Sequence, residues 1–289
     1  MPPQSYLEVV EKLNYAGSYL DFMRLYVSAY QGFCRVDDCL DMPTWNHLWF
    51  VAYLWVYTLL LWLFYRCRNT RFSAIADRAV AGLRGWRLIV LPALVLGLCR
   101  LALLSHYPPE NNLTSDWYNH SLYFSLFLFG AVLAGRPDFW LQAARMRWFG
   151  LGLALLGWAC LVFYFSYFAD EAPPDWLRNA QRVVYSLTAW CAMLAACDFA
   201  RLHLQADGPA RRYLTEAVFP VYILHQTLIV IFAHALKPVG LALPVEGLVL
   251  IVLTLALSFF GFEIIRRVRV LRPLLGLEFR PAARPVRSL

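Results

Sequence analysis

The chain has 289 residues, 60% of them hydrophobic and 16% charged, with a net charge of +7. Soluble domains carry about 25% charged residues, and a mean hydropathy of +0.51 means more apolar surface than a water-soluble core absorbs, so lipid must cover part of it. The positive charge does not point to nucleic acid, because most basic residues fall in alternate loops between apolar runs.

The first stretch, 1–45, contains no spanning run and no apolar core of a cleavable signal peptide. It carries two short helical stripes, Leu7, Val10 and Leu13, then Tyr19, Phe22, Met23 and Tyr26. They predict an outer-face segment with one or two short amphipathic helices. Cys34 and Cys39 lie in it. Their spacing suits a disulfide if the segment is periplasmic and two free thiols if it is not. Cys67, Cys99, Cys160, Cys191 and Cys197 sit in or beside apolar runs and read as small packing residues.

Seven apolar runs follow, at about 48–65, 86–105, 117–133, 148–168, 183–200, 213–236 and 245–265. A helix needs roughly 20 apolar residues to span a bilayer, and lipid leaves no partner for unpaired backbone groups. The expected fold is therefore all-α, a polytopic transmembrane bundle of about seven spans. It occupies 46–270, with a basic tail at 271–289 that ends in an Arg/Pro-rich stretch suited to anionic headgroups. Loops one, three and five and the tail are rich in Arg, which orients them to the cytoplasm and gives an N-out, C-in topology. Arg178 and Arg182 in the fourth loop run against this pattern. Nothing in 1–45 would export the N-terminus, so the topology leads us to expect an odd number of further spans upstream.

Ionisable groups inside spans are costly and each needs a reason. Arg100 lies well inside the second run. It either lines a polar cavity for an anionic donor or snorkels to the outer headgroups. His225 and Gln226 lie mid-run, five and six residues after Pro220, which removes a backbone donor. His225 suits proton transfer or holding a substrate hydroxyl, and also suits an interhelical packing bond. His47 and Trp49 open the first run, and Asn119 and His120 the third. Each fits the mouth of a site or an interfacial belt. Asp198, Glu216 and Glu263 are explained by pairing with Arg201, Arg212 or Arg267. Asn112 and Asn119 match the glycosylation pattern, which is common by chance. No zinc spacing, Ser-His-Asp set, phosphate-cradling glycine loop or HExxH motif stands out.

The segment 45–58, Trp-Asn-His-Leu-Trp-Phe-Val-Ala-Tyr-Leu-Trp-Val-Tyr-Thr, resembles the start of the fourth helix in the acyltransferase 3 family of bacterial integral-membrane acyltransferases. The segment 219–230, with Tyr222, His225 and Gln226, resembles a late helix of the same family. The similarity is to the branch that includes the osmoregulated periplasmic glucan succinyltransferase, and it covers about 30–270. Such proteins have about ten helices. They transfer an acyl group from acyl-CoA to a hydroxyl of an envelope glycan, here acetyl or succinyl. The resemblance implies acyl-CoA and a carbohydrate acceptor as partners, no bound cofactor and an inner-membrane location. It carries His47, Trp49, His225 and Gln226 over as cavity-lining positions, with Arg100 a further candidate.

The family's catalytic His, its partnering Arg and a basic pair for the donor belong to earlier helices. Arg24 echoes the opening of the first of these, but Arg35 stands where its His would follow. The resemblance therefore implies that this chain is the C-terminal portion of an acyltransferase, inactive alone, with three helices upstream. A seven-helix receptor or sensor, or a transporter-like protein without acyl transfer, is the alternative.

Overall fold

A computed structural model describes residues 2–35, 38–40, 42–44, 46–66 and 70–279. Cys67 and the Arg/Pro-rich end of the tail, 280–289, lie outside the described residues, as does Trp45. The described chain is helical apart from a two-residue antiparallel ladder, Cys34–Arg35 with Asp38–Cys39. It divides into two compact units, Met1–Leu48 with Asp207–Leu289, and Trp49–Ala206. This grouping by contact cuts across the three stretches read from composition.

The first unit holds α1 (Pro2–Leu13), α2 (Tyr19–Val27), α9 (Pro209–Leu236), α10 (Leu243–Arg267) and the short α11 (Leu271–Leu274). Helix α2 starts where Ser18 accepts the backbone N–H of Asp21 and donates its hydroxyl to the Asp21 carboxylate. This satisfies a first-turn donor that would otherwise have no partner. Val9, Phe22, Phe33 and Met42 are buried together, with Tyr6, Leu13 and Tyr15 packed on them. The inward stripe of α1 is thus Tyr6, Val9 and Leu13, one residue away from the expected Leu7 and Val10. Phe22 and Tyr26 of α2, with Phe33 just before the ladder, supply the apolar surface that this face meets. Cys34 is disulfide-bonded, and the ladder sets it opposite Cys39. Helices α9 and α10 pack on each other through Ala217, Phe262 and Ile265. Pro220 is buried inside α9.

The second unit holds α3 (Trp49–Arg66), α4 (Thr70–Gly82), α5 (Arg87–Leu103), α6 (Trp117–Leu133), α7 (Pro137–Tyr167) and α8 (Asp175–His203). Its core joins Leu88, Ile89 and Ala93 of α5 to Phe139 and Ala143 of α7 and Trp190 and Cys191 of α8. The Trp190 indole donates to the Leu88 carbonyl at 3.0 Å. A Cβ on Gly157 would run into Thr188, so α7 and α8 approach closely there because glycine has none. Outward faces stay apolar, with Trp55, Leu156 and Phe163 each over 60% exposed. That pattern suits lipid rather than water. Of the cysteines expected to pack, Cys191 does so, whereas Cys160 and Cys197 face outward.

All seven apolar runs are helical. Among the described residues, five helices are long and apolar enough to cross a membrane, or six if α4 and α5, bent 117° apart, count as one span. The comparison with seven turns on α5 and on α6, which has 17 residues. Two helices outrun their apolar stretches. Helix α7 begins at Pro137 rather than 148, and α8 at Asp175 rather than 183. Helix α4 lies in the first loop between apolar runs, and its alanines, which favour helix, make it helical there.

Candidate functional site

In the first unit, the turn Asn46–Leu48 brings His47 to the middle of α9. His47 Nε2 lies 3.3 Å from the Ile223 carbonyl, and the Tyr222 hydroxyl donates to the His47 carbonyl at 2.6 Å. On α9, His225 Nδ1 lies 2.7 Å from the Tyr222 carbonyl. The two imidazole centroids are 5.7 Å apart. A carbonyl oxygen only accepts, so His47 Nε2 and His225 Nδ1 both carry a hydrogen. The opposite nitrogen of each ring is then free for other work. Among the described residues His47 Nδ1 is buried with no hydrogen-bond partner. Two imidazoles held by backbone carbonyls, each with a spare lone pair, form a site able to accept hydrogen bonds from a hydroxylated molecule. Gln226 follows on the same helix, half-buried, and makes no described hydrogen bond with the two histidines.

In the second unit, a different histidine sits in a closed network. His120 Nε2 donates to the Leu113 carbonyl at 3.0 Å, and its Nδ1 accepts from the Tyr57 hydroxyl at 2.9 Å. The Tyr53 hydroxyl is 2.8 Å from both the Asn112 carbonyl and Asp116 Oδ2, with one hydrogen to share between them. Asp116 is fully buried, and its Oδ2 also accepts from Asn119 Nδ2 and the Asn111 backbone. Its Oδ1 has no partner. The network fastens the segment before α6 to one face of α3.

The model of the acyltransferase domain family, acyltransferase 3, matches residues 14–263, which include both histidine clusters. The chain belongs to the acyltransferase 3 family. With several helices apolar enough to span, it is a multi-pass membrane acyltransferase. No curated protein matches the chain, nor does any solved structure.

In this acyltransferase the five candidate residues do not form one described cluster. His47 and His225 come together, with Gln226 beside them. Trp49 belongs to the second unit, where it packs edge-on against Phe50 and Tyr53 and against Tyr123. Arg100 of the acyltransferase is half-buried on α5. It donates to the Tyr118 hydroxyl at 2.6 Å and lies 3.9 Å from the centre of the Tyr185 ring. Aromatic partners thus engage the guanidinium, although its Nε is buried without a hydrogen bond.

The acidic residues expected to pair do so, with one change of partner and two additions. Asp198 lies 3.6 Å from Arg201 but also 3.7 Å from Arg147 on α7, and neither carboxylate oxygen makes a hydrogen bond. Glu216 reaches Arg272, not Arg212, which pairs with Asp207. Glu263 holds Arg266 and Arg267. Asn119 is spent on Asp116 and buried, which removes it as a glycosylation acceptor. Sequence reasoning passed over Tyr53, Tyr57 and Asp116 as site residues. The signal was there for the first two, since Tyr53 and Tyr57 stand four apart on an otherwise lipid-facing helix.

Proposed function

We propose that this acyltransferase transfers an acetyl or succinyl group from acyl-CoA to a hydroxyl of an envelope glycan, in the manner of the periplasmic glucan succinyltransferase branch, at a bacterial inner membrane. The observation that carries this reading is the paired imidazoles. His47 Nε2 and His225 Nδ1 are committed to backbone carbonyls. The remaining nitrogens accept the hydrogen bond of a sugar hydroxyl and orient its oxygen for attack, a role distinct from that of the family's catalytic His.

The new bond joins the sugar oxygen to the acyl carbon. The carbon–sulfur bond of the thioester breaks, and the proton taken from the hydroxyl leaves with the free thiol. The site is built for acceptance and orientation, so a Gln at 225, which offers a side-chain oxygen but no basic lone pair, should keep binding better than turnover.

The test uses the full natural protein in its own membranes, supplied in turn with labelled succinyl-CoA and acetyl-CoA. Label should appear in the glucan fraction with one donor. The His225→Ala protein, present at equal level, should transfer about 100-fold less, and His225→Gln should lower kcat more than it raises KM. Absence of label in any glycan with both donors overturns the substrate assignment. An unchanged rate in His225→Ala overturns the role of the imidazole pair.

A further inference from the structure

Two cavities in the second unit share a wall. The first has a volume of about 710 Å³ and is lined by α3 and α6 side chains, among them Leu60, Phe64, Leu128 and Val132, with Arg136 at one end. The second has a volume of about 400 Å³ and lies between the end of α4, the turn into α5 and the start of α7. It is lined by Arg84, Arg136 and Arg145 against Asp77 and Asp138. Arg136 lines both, so an apolar groove and a basic chamber adjoin at this residue. Both volumes fall in the range of about 300–1,000 Å³ usual for small-molecule sites.

The charges in the basic chamber do not cancel. Asp77 is paired with Arg136. Asp138 sits in the first turn of α7, where a carboxylate offsets the helix dipole. Arg84 and Arg145 are exposed and have no acidic partner among the described residues. The depth is marked as well. Trp86 and Trp148, 62% and 66% exposed, stand two and three residues from these arginines, and the Arg87 guanidinium lies over the Trp86 ring. Exposed tryptophans beside arginines are the signature of the headgroup level, on the face that the arginine-rich loops assign to the cytoplasm. A basic chamber at headgroup depth, opening onto an apolar groove, fits a ligand with an anionic head and a hydrocarbon tail.

We propose that the paired cavities bind an anionic phospholipid. Its phosphate lies between Arg84 and Arg145, and one acyl chain lies in the groove between α3 and α6. Arg136, fixed by Asp77, divides head from tail. The site is independent of the histidine pair and of the acyl-transfer reading.

Native mass spectrometry of the detergent-purified protein tests this, with phosphatidylglycerol and phosphatidylcholine of matched chains as probes. Phosphatidylglycerol should be retained roughly tenfold more, since each arginine near an anionic surface adds attraction. The double variant Arg84→Gln/Arg145→Gln should lose that preference without a change in melting temperature, because both side chains are exposed. Leu128→Trp, which fills the groove, should weaken retention of long-chain lipid but not of its six-carbon-chain analogue. Three results would overturn the proposal: equal retention of the two lipids, a preference that survives the double variant, or equal retention of short and long chains in the parent protein. Displacement of the lipid by inorganic phosphate alone would mark a soluble-anion site and also overturn it.

Discussion

The two histidine clusters use the same side chain in opposite ways. In the second unit both ring nitrogens of His120 are occupied by protein groups, the Leu113 carbonyl and the Tyr57 hydroxyl. That imidazole has nothing left to offer a ligand, and its work is to fasten α6 to α3. In the first unit His47 and His225 spend one nitrogen each on the backbone and keep the other. Among the described residues the free His47 Nδ1 is buried without a partner, which costs about 1–3 kcal/mol until a donor reaches it. Counting the hydrogen bonds of each ring thus separates a lock from a candidate binding site, where burial and aromatic company do not.

The sharpest way to break this contrast is to remove one histidine from each cluster. His225→Ala should lower acyl transfer about 100-fold and leave the melting temperature nearly unchanged. His120→Ala should do the reverse, losing about 1–3 kcal/mol of stability while activity per folded molecule is kept. Thermal unfolding in detergent and a transfer assay on the same preparations check both. Equal effects of the two substitutions on activity would dissolve the distinction.

Asp116→Ala comes next. It strips the acceptor from Asn119 and the Asn111 backbone, leaves Tyr53 with the Asn112 carbonyl alone, empties a fully buried side-chain site, and should cost about 2–4 kcal/mol. A melting temperature within a degree of the parent would show that the network bears no load. Gly157→Val should follow, at about 1–3 kcal/mol, because the added carbon meets Thr188 where α7 and α8 touch. Thr188→Ala in the same chain should recover part of that loss, which an effect of valine on helix propensity alone would not allow.

How much of this was legible in the sequence follows from which forces are local. Lipid demands an apolar run of given length, and every such run proved helical. Helix ends were less legible. Helix α7 continues toward its N-terminus through Arg145 and Arg147, which reach water or pair with Asp198 while the backbone stays helical. The tyrosine–aspartate–histidine network was not legible, since Tyr57 and His120 are 63 residues apart and nothing in either segment names the other. The family resemblance names His47 and His225 together as cavity-lining positions, but nothing local in either segment sets the two rings side by side. That they meet depends on a turn of three residues, Asn46–Leu48, whose geometry no periodicity announces. For Arg100 the sequence offers an anion site or the headgroups; its tyrosine contacts, Tyr118 and Tyr185, come from the helices that flank α5 and are not legible locally.

The smallest expected effect lies where α1 meets α9, and it carries a pH signature. Glu11 accepts from His234 Nδ1 at 2.7 Å and from Lys237 Nζ at 2.9 Å. The His234 hydrogen bond, and then that of Lys237, holds the Glu11 carboxyl below its ordinary value. A carboxyl whose folded pKa is depressed contributes stability that is fully present above its unfolded pKa and is lost as pH falls through the lowered one. Hydrogen exchange of the α1 amides should therefore be flat from neutral pH down to about 4.5 and lose protection below that. The change should be slight, because water screens an exposed pair. Glu8 and Lys12 form a second pair on the same helix and would also respond to acid. Glu11→Gln separates the two. It should reduce α1 protection at neutral pH and remove only the part of the acid response that belongs to Glu11. An acid response identical in the parent and in Glu11→Gln would assign it to Glu8 instead, and α1 would then owe its place on α9 to apolar burial alone.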